Sequence, residues 1–128
     1  MADPAFLLDT NICIYILNDA QGLAPERARK QPLGSVVTSS IVAAELLRGV
    51  SPERAEDLQA IDRLFSLIEP LAFDLVTARA YALVPFKRAA FDRLIAAHAL
   101  ALDLTLVTNN ERDFADIPGL RVENWAQP

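Results

Sequence analysis

Short apolar runs alternate with longer amphipathic stretches along the chain. Residues 5–8 form an apolar run of strand length. Asp9, Thr10 and Asn11 stand at the head of the next stretch. Ile12, Ile14 and Ile16 alone would fit a strand, but the polar trio is a helix-start signature and tips 10–18 to a helix. A second short helix is expected over 25–30. Gly34 introduces a strand at 36–38, Ser39 and Ser40 can cap a helix over 41–48, and Gly49 ends it. Pro52 opens a helix over 53–66. Residues 67–71 read as a weak strand, and Pro70 makes it an edge. Asp74 caps a helix to about residue 83, and Pro85 breaks the chain. Residues 90–102 are the clearest helix, with Phe91, Leu94, Ile95, Ala99 and Leu102 on one stripe. A strand at 105–108, a short turn or helix at 111–115 and a last strand at 120–122 complete the pattern. Strands alternating with helices predict βαβ units, hence an α/β chain with a three-layer α/β/α architecture. Its central sheet has four to five mainly parallel strands and right-handed crossovers.

Composition narrows the picture further. The 128 residues are of single-domain size, so 1–128 is expected to form one domain with a core that needs no staple. At 52% hydrophobic residues the chain is not disordered, and the surplus points to apolar surface covered by another chain. The lone Cys13 excludes an internal disulfide and argues against a thiolate zinc site; it reads as a small core residue. This fits a reducing cytoplasm. Met1-Ala2-Asp3-Pro4 carries no basic region followed by an apolar run, so no signal peptide is expected. No apolar run reaches membrane-spanning length.

Seventeen acids against twelve bases give a net charge of −5, which argues against non-specific nucleic-acid binding but not against acids gathered around a cation. The single histidine, His98, excludes a His-rich metal site and reads as structural or solvent-contacting. Trp125 is expected to pack near the C-terminus.

In a parallel sheet, ligands collect at the carboxyl ends of the strands, where the following helices begin. Asp9 follows the first strand, and Glu45 lies in the second turn of the helix after the second. Asp92 opens the helix leading to the 105–108 strand, and Asp113 lies just beyond that strand. Four carboxylates from distant parts of the chain therefore converge on one edge. Alone they repel and raise one another's pKa; a divalent cation removes that cost. Oxygen-only ligands suit Mg²⁺ or Mn²⁺, ions that serve phosphate chemistry. Each acid also has a plainer role: Asp9 as a helix cap, Glu45 paired with Arg48, Asp92 at a helix start, Asp113 as a loop acid with Glu111 and Asp116 as competitors. Asn11 can orient Asp9 or favour the helix start. Thr108, Asn109 and Asn110 can bond to a ligand, water or phosphate, or form an ordinary turn.

These residues are familiar as a set. Phe6-Leu7-Leu8-Asp9-Thr10-Asn11, Ser39 through Gly49, Phe91-Asp92-Arg93-Leu94-Ile95, and Leu106-Val107-Thr108-Asn109-Asn110 with Asp113-Phe114 resemble, in order, the four motifs of PIN-domain ribonucleases. The tail Gly119 through Trp125 adds to the likeness, which is closest to the VapC-type toxins of bacterial VapBC toxin–antitoxin pairs. The resemblance implies a Mg²⁺- or Mn²⁺-dependent endoribonuclease, with Asp9, Glu45, Asp92 and Asp113 as its catalytic and metal-binding acids. It implies a homodimer, a cognate VapB-type antitoxin that blocks the site, and structured RNA such as tRNA or rRNA as substrate. One departure is the short connection over 84–91, where many relatives carry a longer helix and a Gly/Pro loop.

The expected chemistry is in-line attack of water on a phosphodiester, leaving a 5′-phosphate and a 3′-hydroxyl. Arg48, Arg88, Arg93 and Arg112 are candidates for phosphate contacts, or solvated surface charges. A phosphorylated receiver is disfavoured because Lys30 and Lys87 are misplaced for it. A haloacid-dehalogenase phosphatase is disfavoured because no second aspartate follows Asp9 at two residues. The alternative from another class is a catalytically inactive PIN-like module that binds RNA or protein.

Overall fold

A computed structural model of the chain describes residues 1–88 and 90–128. Ala89, inside the short connection expected at 84–91, lies outside the described residues. The strands are β1 (Phe6–Leu8), β2 (Val36–Ser39), β3 (Glu69–Leu71), β4 (Thr105–Val107) and β5 (Val122–Glu123). The helices are α1 (Thr10–Asn18), α2 (Leu23–Arg29), α3 (Ser40–Arg48), α4 (Ala55–Leu67), α5 (Leu75–Tyr81) and α6 (Phe91–Ala101), with a 3₁₀ helix over Glu111–Phe114. All strands pair in parallel in the order β3-β2-β1-β4-β5, giving the expected α/β/α sandwich.

The apolar pattern explains the layering. All four residues of β2 are buried, as are Leu7 and Leu8 of β1 and Leu106 and Val107 of β4. Central parallel strands covered on both faces need such continuous apolar runs. β3 pairs only with β2, so Pro70, which has no N–H to donate, sits on an edge as its chemistry requires. β1 is central: the chain builds out to β2 and β3 on one side, then crosses back to place β4 and β5 on the other. The crevice at its carboxyl end is the point where α/β sheets bind ligands.

Most boundaries shift by a residue or two from the sequence expectation, and three of the shifts have a clear local cause. α4 begins at Ala55 because Pro52 sits in a turn closed by the Arg54 N–H on the Ser51 carbonyl (3.0 Å), not in the first helical turn. The same helix runs through Leu67, so β3 begins only at Glu69. β5 is displaced towards the C-terminus because Gly119, with φ +78°, still belongs to the preceding turn.

The stripe expected on α6 is also corrected. Phe91 and Leu102 are exposed, while Arg93 and the run Ile95 to Ala99 are buried. The helix is wedged among α5, α3 and β4, so most of its circumference is covered and a one-sided stripe does not describe it. Its C-terminus is closed by Asp103 in the left-handed region (φ 57°), after which the Leu104 N–H reaches back to the Ala99 carbonyl at 2.8 Å. Trp125 is buried against Phe6, with ring centroids 5.1 Å apart, and its indole N–H donates to Glu123. Arg27 bonds the Asn124 carbonyl at 2.6 Å, fastening the tail to α2.

Candidate functional site

Asp9 directly follows β1 and caps α1: its Oδ1 accepts the Ile12 N–H at 3.0 Å. The capping role and the site role are therefore one geometry, since a carboxylate that closes the first turn of α1 must stand at the carboxyl edge of the sheet. Asp9 is buried, and its pKa is pushed up to about 6. Burial is the main cause, and Asp92 and Glu45 add repulsion; hydrogen bonds from the Thr108 hydroxyl and the Ile12 N–H act in the opposite direction. Asp92, in the first turn of α6, is also raised, first by partial burial and then by Asp113.

Glu45 is half-buried on α3 and points inward as its helical phase demands. It makes no ion pair with Arg48. Instead its Oε1 accepts the Thr10 hydroxyl at 2.8 Å. Sequence reasoning passed over Thr10; the visible signal was a hydroxyl next to Asp9, on a helix packed against α3. Asp113 accepts the side-chain amide of Asn110, whose backbone N–H in turn bonds the Thr108 hydroxyl at 3.1 Å. Thr108 therefore links Asp9 to the loop that carries Asp113. Asn11 does not hold Asp9; its amide reaches Asn109 Oδ1 at 3.5 Å.

Asp9, Glu45, Asp92 and Asp113 thus share one edge: Asp9 feels the charge of Asp92 and Glu45, and Asp92 that of Asp113. Among the described residues, however, no three acidic, histidine or cysteine side chains are arranged as they stand to hold an ion. The donor set is all carboxylate, and it includes one buried acid that resists ionisation beside two others. That chemistry fits a hard divalent cation, whose charge offsets both burial and repulsion.

Arg93 is a correction. It is 1% exposed and cannot meet a phosphate. Its guanidinium makes a bidentate pair with Asp116 (2.8 and 3.1 Å) and donates to the carbonyls of Pro85 (3.0 Å) and Asp113 (2.9 Å). Asp116, once a competitor of Asp113, is held by this pair, which lowers its pKa. Arg48, Arg88 and Arg112 are exposed and form no ion pair among the described residues. His98 is buried, with Nδ1 2.9 Å from the Ser39 hydroxyl and its ring edge-on to Phe73. Its pKa is lowered by burial, partly offset by Asp74, so it stays neutral and structural. Burial pushes the Cys13 thiol up to about 12, leaving it inert.

A parallel sheet with a buried aspartate at its switch point and three further acids on the same edge defines a PIN domain, and the PIN domain family model matches residues 6–120. The chain is 35% identical to "Ribonuclease VapC2" of Rickettsia felis, covering 94% of this chain and 97% of that protein. It is 34% identical to "tRNA(fMet)-specific endonuclease VapC" of Shigella flexneri, with 94% and 98% covered. Among solved structures, DNA-bound VapBC from Salmonella typhimurium superimposes with a TM-score of 0.84 at 31% identity, covering 95% of this chain and 98% of that one. The chain belongs to the PIN-domain family, in its VapC ribonuclease branch. No helix among the described residues is long and apolar enough to cross a membrane.

Proposed function

We propose that this protein is a divalent-metal-dependent endoribonuclease, the toxin of a toxin–antitoxin pair, which hydrolyses phosphodiesters in structured RNA such as tRNA or rRNA and so inhibits translation. The observation that carries the reading is Asp9: a buried carboxylate with its pKa pushed up to about 6, at the switch point of the sheet, beside Glu45 and Asp92. Asp9, Glu45 and Asp92 would hold Mg²⁺ or Mn²⁺, with Asp113 as a further ligand. When bound, the ion would lower the pKa of water and stabilise charge on the phosphoryl oxygens. The protein's own contribution is placement. Thr10 fixes the Glu45 carboxylate, the Thr108 hydroxyl favours the ionised form of Asp9, and Arg93 fixes the turn bearing Asp113. The exposed Arg48, Arg88 and Arg112 supply cations for backbone phosphates. The VapBC relatives support a VapB-type antitoxin as partner; a homodimer of this chain and a cytoplasmic setting complete the proposal.

The test is incubation of total cellular RNA with antitoxin-free protein in Mg²⁺, in Mn²⁺ and in EDTA. Discrete fragments with 5′-phosphate ends are expected in either metal and none in EDTA. RNA left whole by a folded, metal-binding protein would favour the inactive binding module instead. Thr10→Val, which keeps the side chain's shape but removes the donor to Glu45, should lower cleavage about tenfold, the scale of one hydrogen bond to a charged group. Thr10→Ser should restore it, with the melting temperature of both variants near that of the parent.

A further inference from the structure

Beside the acidic edge, a second set of residues has no role in holding the acids. The Asn109 amide donates to the Tyr15 hydroxyl oxygen at 2.8 Å, and Asn11 donates to the Asn109 oxygen at 3.5 Å. The resulting chain, Asn11–Asn109–Tyr15, starts two residues after Asp9 and one after Thr108. It runs outward to a cavity of about 370 Å³ lined by Tyr15, Asp19, Leu23, Pro25, Asn109 and Gln127, among others. Tyr15 lies four residues after Asn11 on α1, about one helical turn. Tyr15 thus stands six residues beyond Asp9, a rise of about 9 Å along α1, and the cavity opens on that side.

We infer that this cavity is a nucleobase subsite, which holds an unpaired base of the RNA adjacent to the scissile phosphate. This rests on the nuclease reading above. Tyr15 is 38% exposed, so its ring offers a face, and base–aromatic stacking tolerates any base. Because its oxygen accepts from Asn109, its hydroxyl proton is left to donate to a ring nitrogen or carbonyl of the base. Asp19, whose Oδ1 takes only a long bond from the Gln21 N–H (3.3 Å), offers a carboxylate to an exocyclic amino group. Leu23 and Pro25 close the floor with apolar surface. Adenine and cytosine each place an amino donor beside a ring-nitrogen acceptor, which matches a carboxylate beside a hydroxyl donor; uracil has one donor, N3–H, flanked by two carbonyls that repel the carboxylate. The subsite lacks a cation of its own, consistent with reading a base while the exposed arginines take the phosphates.

The experiment uses the full chain in EDTA, where no cleavage is expected, with fluorescent single-stranded oligoribonucleotides of A, C and U. Anisotropy should show A and C bound several-fold more tightly than U. Tyr15→Ala should weaken binding of A and C about tenfold, the loss of one stack. Tyr15→Phe should keep most of the affinity. With Mg²⁺ and the RNA fragment mapped from wild-type cleavage, Tyr15→Ala should raise KM by a similar factor with kcat retained, and shift which positions are cut. Tyr15 is exposed, so a melting curve checks that the variant is folded. Equal binding of the three oligomers, or a Tyr15→Ala variant that binds them and cleaves like its parent, overturns the subsite and leaves the cavity to a protein ligand. Tyr15-dependent binding by a wild-type protein that never cleaves RNA would uphold the subsite and overturn the nuclease.

Discussion

Asp9→Asn should abolish RNA cleavage and, at the same time, raise the melting temperature of the metal-free protein by several degrees. The two effects share one cause. Folding buries the Asp9 carboxyl and lifts its pKa from 3.8 to about 6. The folded form therefore holds this proton more tightly than the unfolded chain does. The stability due to the neutral acid is complete below the unfolded pKa of 3.8 and is lost as pH rises through about 6. Above that, the charged form costs on the order of 2–3 kcal/mol, at 1.36 kcal/mol per pKa unit. Asparagine keeps an oxygen for the Ile12 N–H and so keeps the cap, but it carries no charge to bury. Asp74 and Asp116 have lowered pKa values and bend the overall profile the other way. The difference between parent and variant removes their contribution. That difference should widen between pH 4 and 6 and level off above. Saturating Mg²⁺ should stabilise the parent and leave the variant unmoved. A variant that melts at or below the parent at pH 7.5 in EDTA would show that Asp9 is not strained, and with it the main argument for a cation there would go.

The second large effect is expected at Arg93. Arg93→Ala should cost about 3 kcal/mol, read as a lower urea midpoint, because it opens a cavity in the interior and leaves the Pro85 and Asp113 carbonyls without their donor. Arg93→Lys should rescue little, since a single ammonium cannot span acceptors laid out for a planar fork. Asp116→Asn should do far less, because Asp116 is 45% exposed and the amide oxygen still accepts. Cleavage should fall further in Arg93→Lys than in Asp116→Asn, as the Asp113 carbonyl loses its anchor while Asp92 stays in place. Equal stability of Arg93→Ala and the parent would overturn the structural role.

Much of this was legible along the chain, and the reasons are local. Asp9-Thr10-Asn11 announces a helix start, Ser39 caps α3 through the Ile41 N–H, and Asp74 caps α5 through the Thr77 N–H. A cap binds residues two or three positions away, so a short window of sequence contains the whole interaction. Alternation of apolar strands with helices then forces a parallel sheet, and a parallel sheet puts the ends of its strands on one edge. Pro70 marked the sheet's rim because a missing N–H is tolerated only there.

The errors have a different origin. Arg93 looked like one more surface arginine because burying a guanidinium is costly unless partners meet it. Those partners come from residues 85, 113 and 116, on either side of α6 in the chain. Thr10 was passed over because its acceptor lies 35 residues on, and the partners of Asn109 were not visible because they lie 94 and 98 residues back. By itself the sequence determined the order of the elements, their parallel pairing and the acids at the sheet's edge, since propensity, capping and apolar period act over a few residues. Only the tertiary structure decided which arginine is buried, what holds Glu45 and where Tyr15 stands. Those outcomes depend on long-range packing, which brings distant side chains within hydrogen-bond reach and leaves no trace in local pattern.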